Sequence, residues 1–155
     1  MNLEEKIVKE LQKRNQTLTT AESCTGGLLA GRILNVSGAS SVYNEGHITY
    51  SNEAKERLLG VSHETLQTYG AVSEQTAAEM ARGAACAAQA DVGLSTTGIA
   101  GPTGGTKEKP VGLVYVGCYV NGTVAVEECH FSGTREENRK AAVEAALQLL
   151  WKNLE

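Results

Sequence analysis

Aromatic side chains are scarce in this chain, with one phenylalanine, one tryptophan and five tyrosines among 155 residues. So few rings offer no stacking platform for nucleobases. Positive charge is short as well. Fourteen Lys and Arg face 18 Asp and Glu, for a formal charge of -4, and the cations are scattered, which excludes the electrostatic footprint of a nucleic-acid binder. Nowhere does the sequence reach the ~20 apolar residues of a membrane span. The N-terminus MNLEEKIVKELQKRN is charged throughout and has no apolar signal core, so the expected location is cytoplasmic, with neither nucleic acid nor membrane as partner. Cys24, Cys86, Cys118 and Cys129 show no C-x-x-C spacing, and no zinc or calcium ligand pattern occurs. Free thiols and no metal are therefore expected.

What is present is enough for one domain over residues 1–155. Asn2 with Glu5 forms a capping box ahead of Leu3, Ile7, Val8 and Leu11, which predicts a helix to about Arg14. TLTTA (17–21) reads as a strand, and LLAGRIL (28–34) as a helix. VYNEGHITY predicts a strand ending near Tyr50, followed by a short helix in SNEAKERLLG closed by Gly60. Ser73 caps a long helix whose Ala77, Ala78, Ala81, Ala84, Ala85 and Ala88 form a face of small residues suited to a sheet. DVGLSTTGIA, VGLVYVGCYV and TVAVEECHF read as strands, the last two joined by the Asn121-Gly122 hairpin signal. Thr134 with Glu137 caps a final helix that turns Ala142, Val143, Ala146, Leu147 and Leu150 inward. Helices before, between and after the strands predict an α/β fold, a three-layer α/β/α sandwich with a mixed sheet of four or five strands.

Three segments could carry chemistry. In TAESCTGG, Ser23 and Cys24 stand where a strand hands over to a helix. Free N–H groups from Cys24, Thr25, Gly26 and Gly27 could hold an oxyanion there, and the two glycines admit a substrate to the backbone. A simple N-cap role for Ser23 or Thr25 is the alternative. In TYSNEAK, Tyr50 ends a strand and Lys55 lies in the first helical turn, where the helix dipole and burial both lower a lysine pKa. A neutral lysine can take a serine's proton, although a solvated surface lysine fits the same pattern. TTGIAGPTGGT places Gly101, Gly104, Gly105 and Thr106 in a loop that could cradle a phosphate or merely join strands. It matches neither the P-loop nor the dinucleotide fingerprint. Ser23 lacks the glycines of a G-x-S-x-G elbow, and His47, His63 and His130 form no recognisable triad pattern, with His130 placed late enough to be worth testing. Cys24 is a second candidate nucleophile.

Taken together, TAESCTGG, TYSNEAK, GAVSEQTAAEMARGA, TTGIAGPTGG with KPVG, and FSGTREENR resemble the CinA C-terminal domain family over essentially the whole chain. Standalone members resemble nicotinamide-nucleotide amidases, which hydrolyse nicotinamide mononucleotide to nicotinic acid mononucleotide and ammonia without a metal or other cofactor. The resemblance implies catalysis by Ser23, Tyr50 and Lys55. Lys55, directly or through Tyr50, would deprotonate Ser23, and an acyl-enzyme would follow. Arg135 or Arg139, with the glycine-rich loop, would grip the phosphate of this small-molecule nucleotide. Thr134 stands before Arg135 where many relatives are expected to carry an acidic residue. Longer relatives add an N-terminal domain similar to molybdopterin-binding proteins, whose activities are not carried over. Short-chain dehydrogenases also use serine, tyrosine and lysine, but the spacing Tyr-x-x-x-x-Lys, the short chain and the missing fingerprint argue against them. The remaining alternative is a non-catalytic nucleotide-binding or regulatory module. Alanine- and glycine-rich faces suggest a homodimer.

Overall fold

A computed structural model describes residues 1–155 and shows the predicted sandwich. Helix α1 spans Leu3–Arg14 and begins with the Asn2/Glu5 capping box. Strand β1 (Leu18–Glu22) follows, then the seven-residue helix α2 (Leu28–Leu34) and a single 3-10 turn at Ala39–Ser41. Strand β2 is only His47–Ile48, much shorter than VYNEGHITY suggested. It lies at the edge of the sheet, where pairing is available on one side only, and beyond it Thr49 still donates its N–H to the Glu22 carbonyl at 2.8 Å.

Helix α3 (Asn52–Leu59) starts at Ser51 and stops at Gly60, whose left-handed backbone ends the helix as expected. Helix α4 (His63–Tyr69) was not foreseen. Its apolar stripe is too thin to read, since Leu66 is its one buried residue, although Ser62 and Gly70 flank it as caps. Helix α5 (Glu74–Ala88), strands β3 (Val92–Gly98), β4 (Leu113–Val120) and β5 (Thr123–His130), and helix α6 (Arg135–Leu154) complete the chain. Asn121 and Gly122 both take positive φ between β4 and β5, as a tight hairpin requires.

The five strands run in the order β2-β1-β3-β4-β5. The first three are mutually parallel, β4 runs antiparallel to β3 and β5 antiparallel to β4, so the sheet is mixed. On one face α1, α2 and α6 enclose a core of 21 buried apolar residues, including Ile7, Leu11, Leu94, Leu147 and Leu150. The other face has an apolar cluster of only six, so large side chains do not do most of the packing there. Close approach replaces them: Ala77, Ala81, Ala84 and Ala85 of α5 are buried, and a Cβ at Gly93 or Gly117 would run into the α5 backbone. At contact distance each small pair contributes dispersion energy without side-chain entropy loss. These four alanines are used inside the chain and lend no support to a dimer interface. No helix is long and apolar enough to cross a membrane.

This topology decides where chemistry can occur. From β1 the chain passes to α2 on one face, and from β2 to α3, α4 and α5 on the other. The carboxyl ends of β1 and β3 therefore open into a crevice, the usual ligand position in an open α/β sheet.

Candidate active site

Ser23 follows the last residue of β1, and its N–H still pairs with the Thr96 carbonyl of β3 at 3.0 Å. The turn from Ser23 to Gly27 then leads into α2, whose N-cap is Gly27 without a side-chain cap, so neither Ser23 nor Thr25 serves as that cap. Instead Ser23 Oγ receives a 3.1 Å hydrogen bond from Lys55 Nζ. Thirty-two positions apart, the two residues meet because β2 pairs with β1 and the Ser51 cap then turns the chain back as α3. A second donor of the same ammonium points to the Thr49 carbonyl at 2.8 Å, which fixes the amine against the serine. Lys55 is 1% exposed. Desolvation of its charged form lowers its pKa from the ordinary 10.5 to about 8.

These two side chains lie in a cleft of about 330 Å³ with Cys24, Tyr50, Gly101, Gly104 and Arg135 on its walls. Burial pushes the Cys24 thiol up to about 11, the wrong direction for a thiolate nucleophile at neutral pH. Tyr50 is 64% exposed, and its hydroxyl accepts from Arg135 Nη2 at 3.2 Å, with no hydrogen bond to Lys55 or Ser23. Lys55 thus reaches the serine without a phenol between them. Arg135 also donates to the Gly101 carbonyl at 2.8 Å, which ties the mouth of the cleft to the glycine-rich loop. None of the three histidines lines the cleft, and His130 is an exposed partner of Glu128 on β5.

Residues 1–154 match the family model of the CinA C-terminal domain. This chain belongs to the CinA C-terminal domain family. A competence-damage inducible protein of Clostridium novyi is 58% identical over 154 residues, which are 99% of this chain and 37% of that protein. A CinA-like protein of Kosmotoga olearia is 58% identical over 149 residues, 96% of this chain and 36% of that protein. The chain accordingly spans little more than a third of the length of these curated relatives. Among solved structures, the competence/damage inducible protein CihA of Agrobacterium tumefaciens superposes with a TM-score of 0.94 at 45% identity, covering 97% of this chain and 92% of that one. A CinA superfamily protein of Escherichia coli gives 0.93 at 39% identity, covering 97% and 87%.

Several residues expected at the ligand stand elsewhere in this CinA domain. Thr25 keeps its side chain away from the cleft, its buried hydroxyl donating to Glu22 at 2.6 Å and accepting from Thr96 at 2.7 Å, and only its backbone N–H is left for a ligand. Gly26 packs under the Arg139 guanidinium, and Gly27 faces a separate surface hollow between α2 and α6. Gly105 is pressed against Val111, and Thr106 closes a small turn with Lys109, so both lie outside the cleft. Arg139 does not reach the cleft either. Its Nε donates to the Cys24 carbonyl at 2.9 Å and its Nη2 to the Thr25 carbonyl at 3.0 Å. Thr134, the departure from the expected acidic residue, caps α6 together with Glu137.

Two contributors escaped the sequence reading. Glu22 is 1% exposed, and its two oxygens accept from the N–H groups of Leu29 at 2.8 Å and Ala30 at 3.0 Å, capping α2 from below. A glutamate closing an otherwise uncharged strand was the available signal. Asn138, also buried, bridges the Gly133 N–H and the Ala100 carbonyl, anchoring the loop that carries Gly101 and Gly104.

Proposed function

We propose that this CinA domain hydrolyses the carboxamide of nicotinamide mononucleotide, releasing ammonia and nicotinic acid mononucleotide. The observation that carries the reading is the buried 3.1 Å contact between Lys55 Nζ and Ser23 Oγ, with the lysine held near pKa 8. The neutral amine takes the serine proton as Oγ attacks the carboxamide carbon, which is electron-poor beside a pyridinium ring. The resulting ammonium returns that proton to the amide nitrogen, and ammonia departs from a serine ester. Water, deprotonated by the same amine, cleaves the ester and restores Ser23.

Charge developing on the carbonyl oxygen needs donors. The N–H groups of Cys24 and Thr25 find no acceptor within the chain and follow the nucleophile directly. At the mouth of the cleft Arg135 and the loop through Gly101 and Gly104 suit the phosphate, the guanidinium supplying charge and the loop its backbone. The test is ammonia release from nicotinamide mononucleotide by the purified protein in the presence of a chelator. Ser23→Ala is expected to bind the nucleotide in calorimetry without turning it over. A wild type that binds but releases no ammonia would make the domain a nucleotide-binding module instead.

A further inference from the structure

The Ser23–Gly26 turn is gripped from two sides by ionisable side chains that do not touch the cleft. From below, Glu22 takes the Thr25 hydroxyl and two α2 N–H groups, and Thr25 is locked in turn to Thr96 of β3. From the α6 side, Arg139 spans two consecutive carbonyls of the same turn, those of Cys24 and Thr25. Contacts from residue 139 to residues 24 and 25 join the end of the chain to its beginning.

The consequence for catalysis follows from peptide geometry. These peptides are trans, so a Cys24 carbonyl turned toward Arg139 aims the Thr25 N–H the opposite way. The Gly26 N–H is tied at 3.2 Å to the Ser23 carbonyl, which likewise sets the plane carrying the Cys24 N–H. A guanidinium on the Cys24 carbonyl also polarises the N–H of the same peptide, strengthening it as a donor. Glu22 meanwhile occupies the Leu29 and Ala30 donors at the start of α2, leaving Cys24 and Thr25 as the free donors next to the nucleophile.

We propose that Glu22 and Arg139 are positioning residues that clamp the nucleophile turn between them and preorganise the Cys24 and Thr25 N–H groups as the oxyanion donors. The inference rests on Ser23 being the acylated nucleophile, and it moves Arg139 from the phosphate, where the sequence had put it, to the backbone of the turn.

Arg139→Lys, Arg139→Met and Glu22→Gln test it, each compared with wild type in two assays. The first is steady-state ammonia release from nicotinamide mononucleotide. The second is the rate at which a small alkyl fluorophosphonate labels Ser23, which needs an oxyanion hole but no nucleotide. Misplacing one donor is expected to lower both kcat and the labelling rate by ~10- to 100-fold, with KM within about threefold of wild type. Arg139→Lys, which can still reach one carbonyl, should fall between wild type and Arg139→Met. The acid limb of the rate–pH profile should stay in place, because Lys55 is untouched. Arg139 is half-buried on α6, so its variants decide the matter if Glu22→Gln fails to fold. A raised KM with unchanged kcat and normal labelling would return Arg139 to the phosphate and overturn the proposal, as would wild-type rates in both assays. If wild type releases no ammonia but is labelled, and the variants label slowly, the clamp stands and the substrate assignment falls. A wild type that neither releases ammonia nor takes the label overturns both.

Discussion

Turnover should climb about tenfold per pH unit up to about pH 7, more slowly through pH 8, and level off above about pH 9, because only the neutral form of Lys55 can accept the Ser23 proton. Desolvation places that amine at about 8 in the folded protein. At pH 7 about 10% of molecules then carry a neutral amine, against about 0.03% for an unburied lysine, a gain of ~300-fold in competent enzyme. The assay is kcat for ammonia release at saturating nicotinamide mononucleotide, with half-maximal rate expected near pH 8. Lys55→Met should lose ~100- to 10,000-fold. The same displacement has a stability consequence of defined sign. Below pH 8 folded and unfolded chains both hold the proton, and the folded chain carries the full desolvation penalty. From pH 8 to 10.5 the folded chain releases it first, so stability rises with pH across that window, by about 3 kcal/mol at most. Lys55→Met also forfeits the buried bonds to the Thr49 carbonyl and to Ser23 Oγ, each worth roughly 1–3 kcal/mol, which offsets the relief of desolvation at pH 7. The stability of Lys55→Met relative to wild type should fall by about 3 kcal/mol from pH 7 to pH 10.5, because only wild type gains by releasing the proton. A flat rate profile, a midpoint near 10.5, or a stability difference between variant and wild type that stays constant from pH 7 to 10.5 would refute the desolvation argument.

Tyr50→Phe should lower kcat by less than ~10-fold, since Lys55 meets Ser23 directly; a loss beyond ~100-fold would restore a proton relay through the phenol. Thr25→Val removes the hydroxyl joining Glu22 to Thr96 while keeping the side-chain shape, and thermal unfolding should show a loss of ~1–3 kcal/mol. An unchanged melting temperature would mean that this buried chain of hydrogen bonds does not hold the turn.

Local signals were legible where a few neighbouring residues decide the backbone. The Asn2/Glu5 and Thr134/Glu137 capping boxes, the Gly60 stop and the Asn121-Gly122 hairpin all appear as expected, because each is satisfied within one turn of chain. Strand β2 was overestimated for the opposite reason. VYNEGHITY has strand composition, but along the sheet edge its pairing with β1 is broken: Tyr43 makes one isolated bridge to Leu18, and continuous pairing begins only at His47 and Ile48. At the site, Ser23 and Lys55 were identified as residues, while the phosphate role given to Arg139 was drawn from its charge and place in the motif. Its side chain turned out to bond backbone 114 and 115 positions away.

The sequence by itself determined the order and type of most elements and the sandwich they form, since apolar periodicity and caps act over a few residues. It also supplied a hydroxyl and an amine of the right chemistry. Only the tertiary structure decided that the amine is stripped of water and pressed against the hydroxyl, that the phenol stands apart at the mouth, and that a buried carboxylate and a distant guanidinium hold the turn. Desolvation and donor geometry depend on which segments surround a group, and that is fixed by sheet register and helix packing across the whole chain.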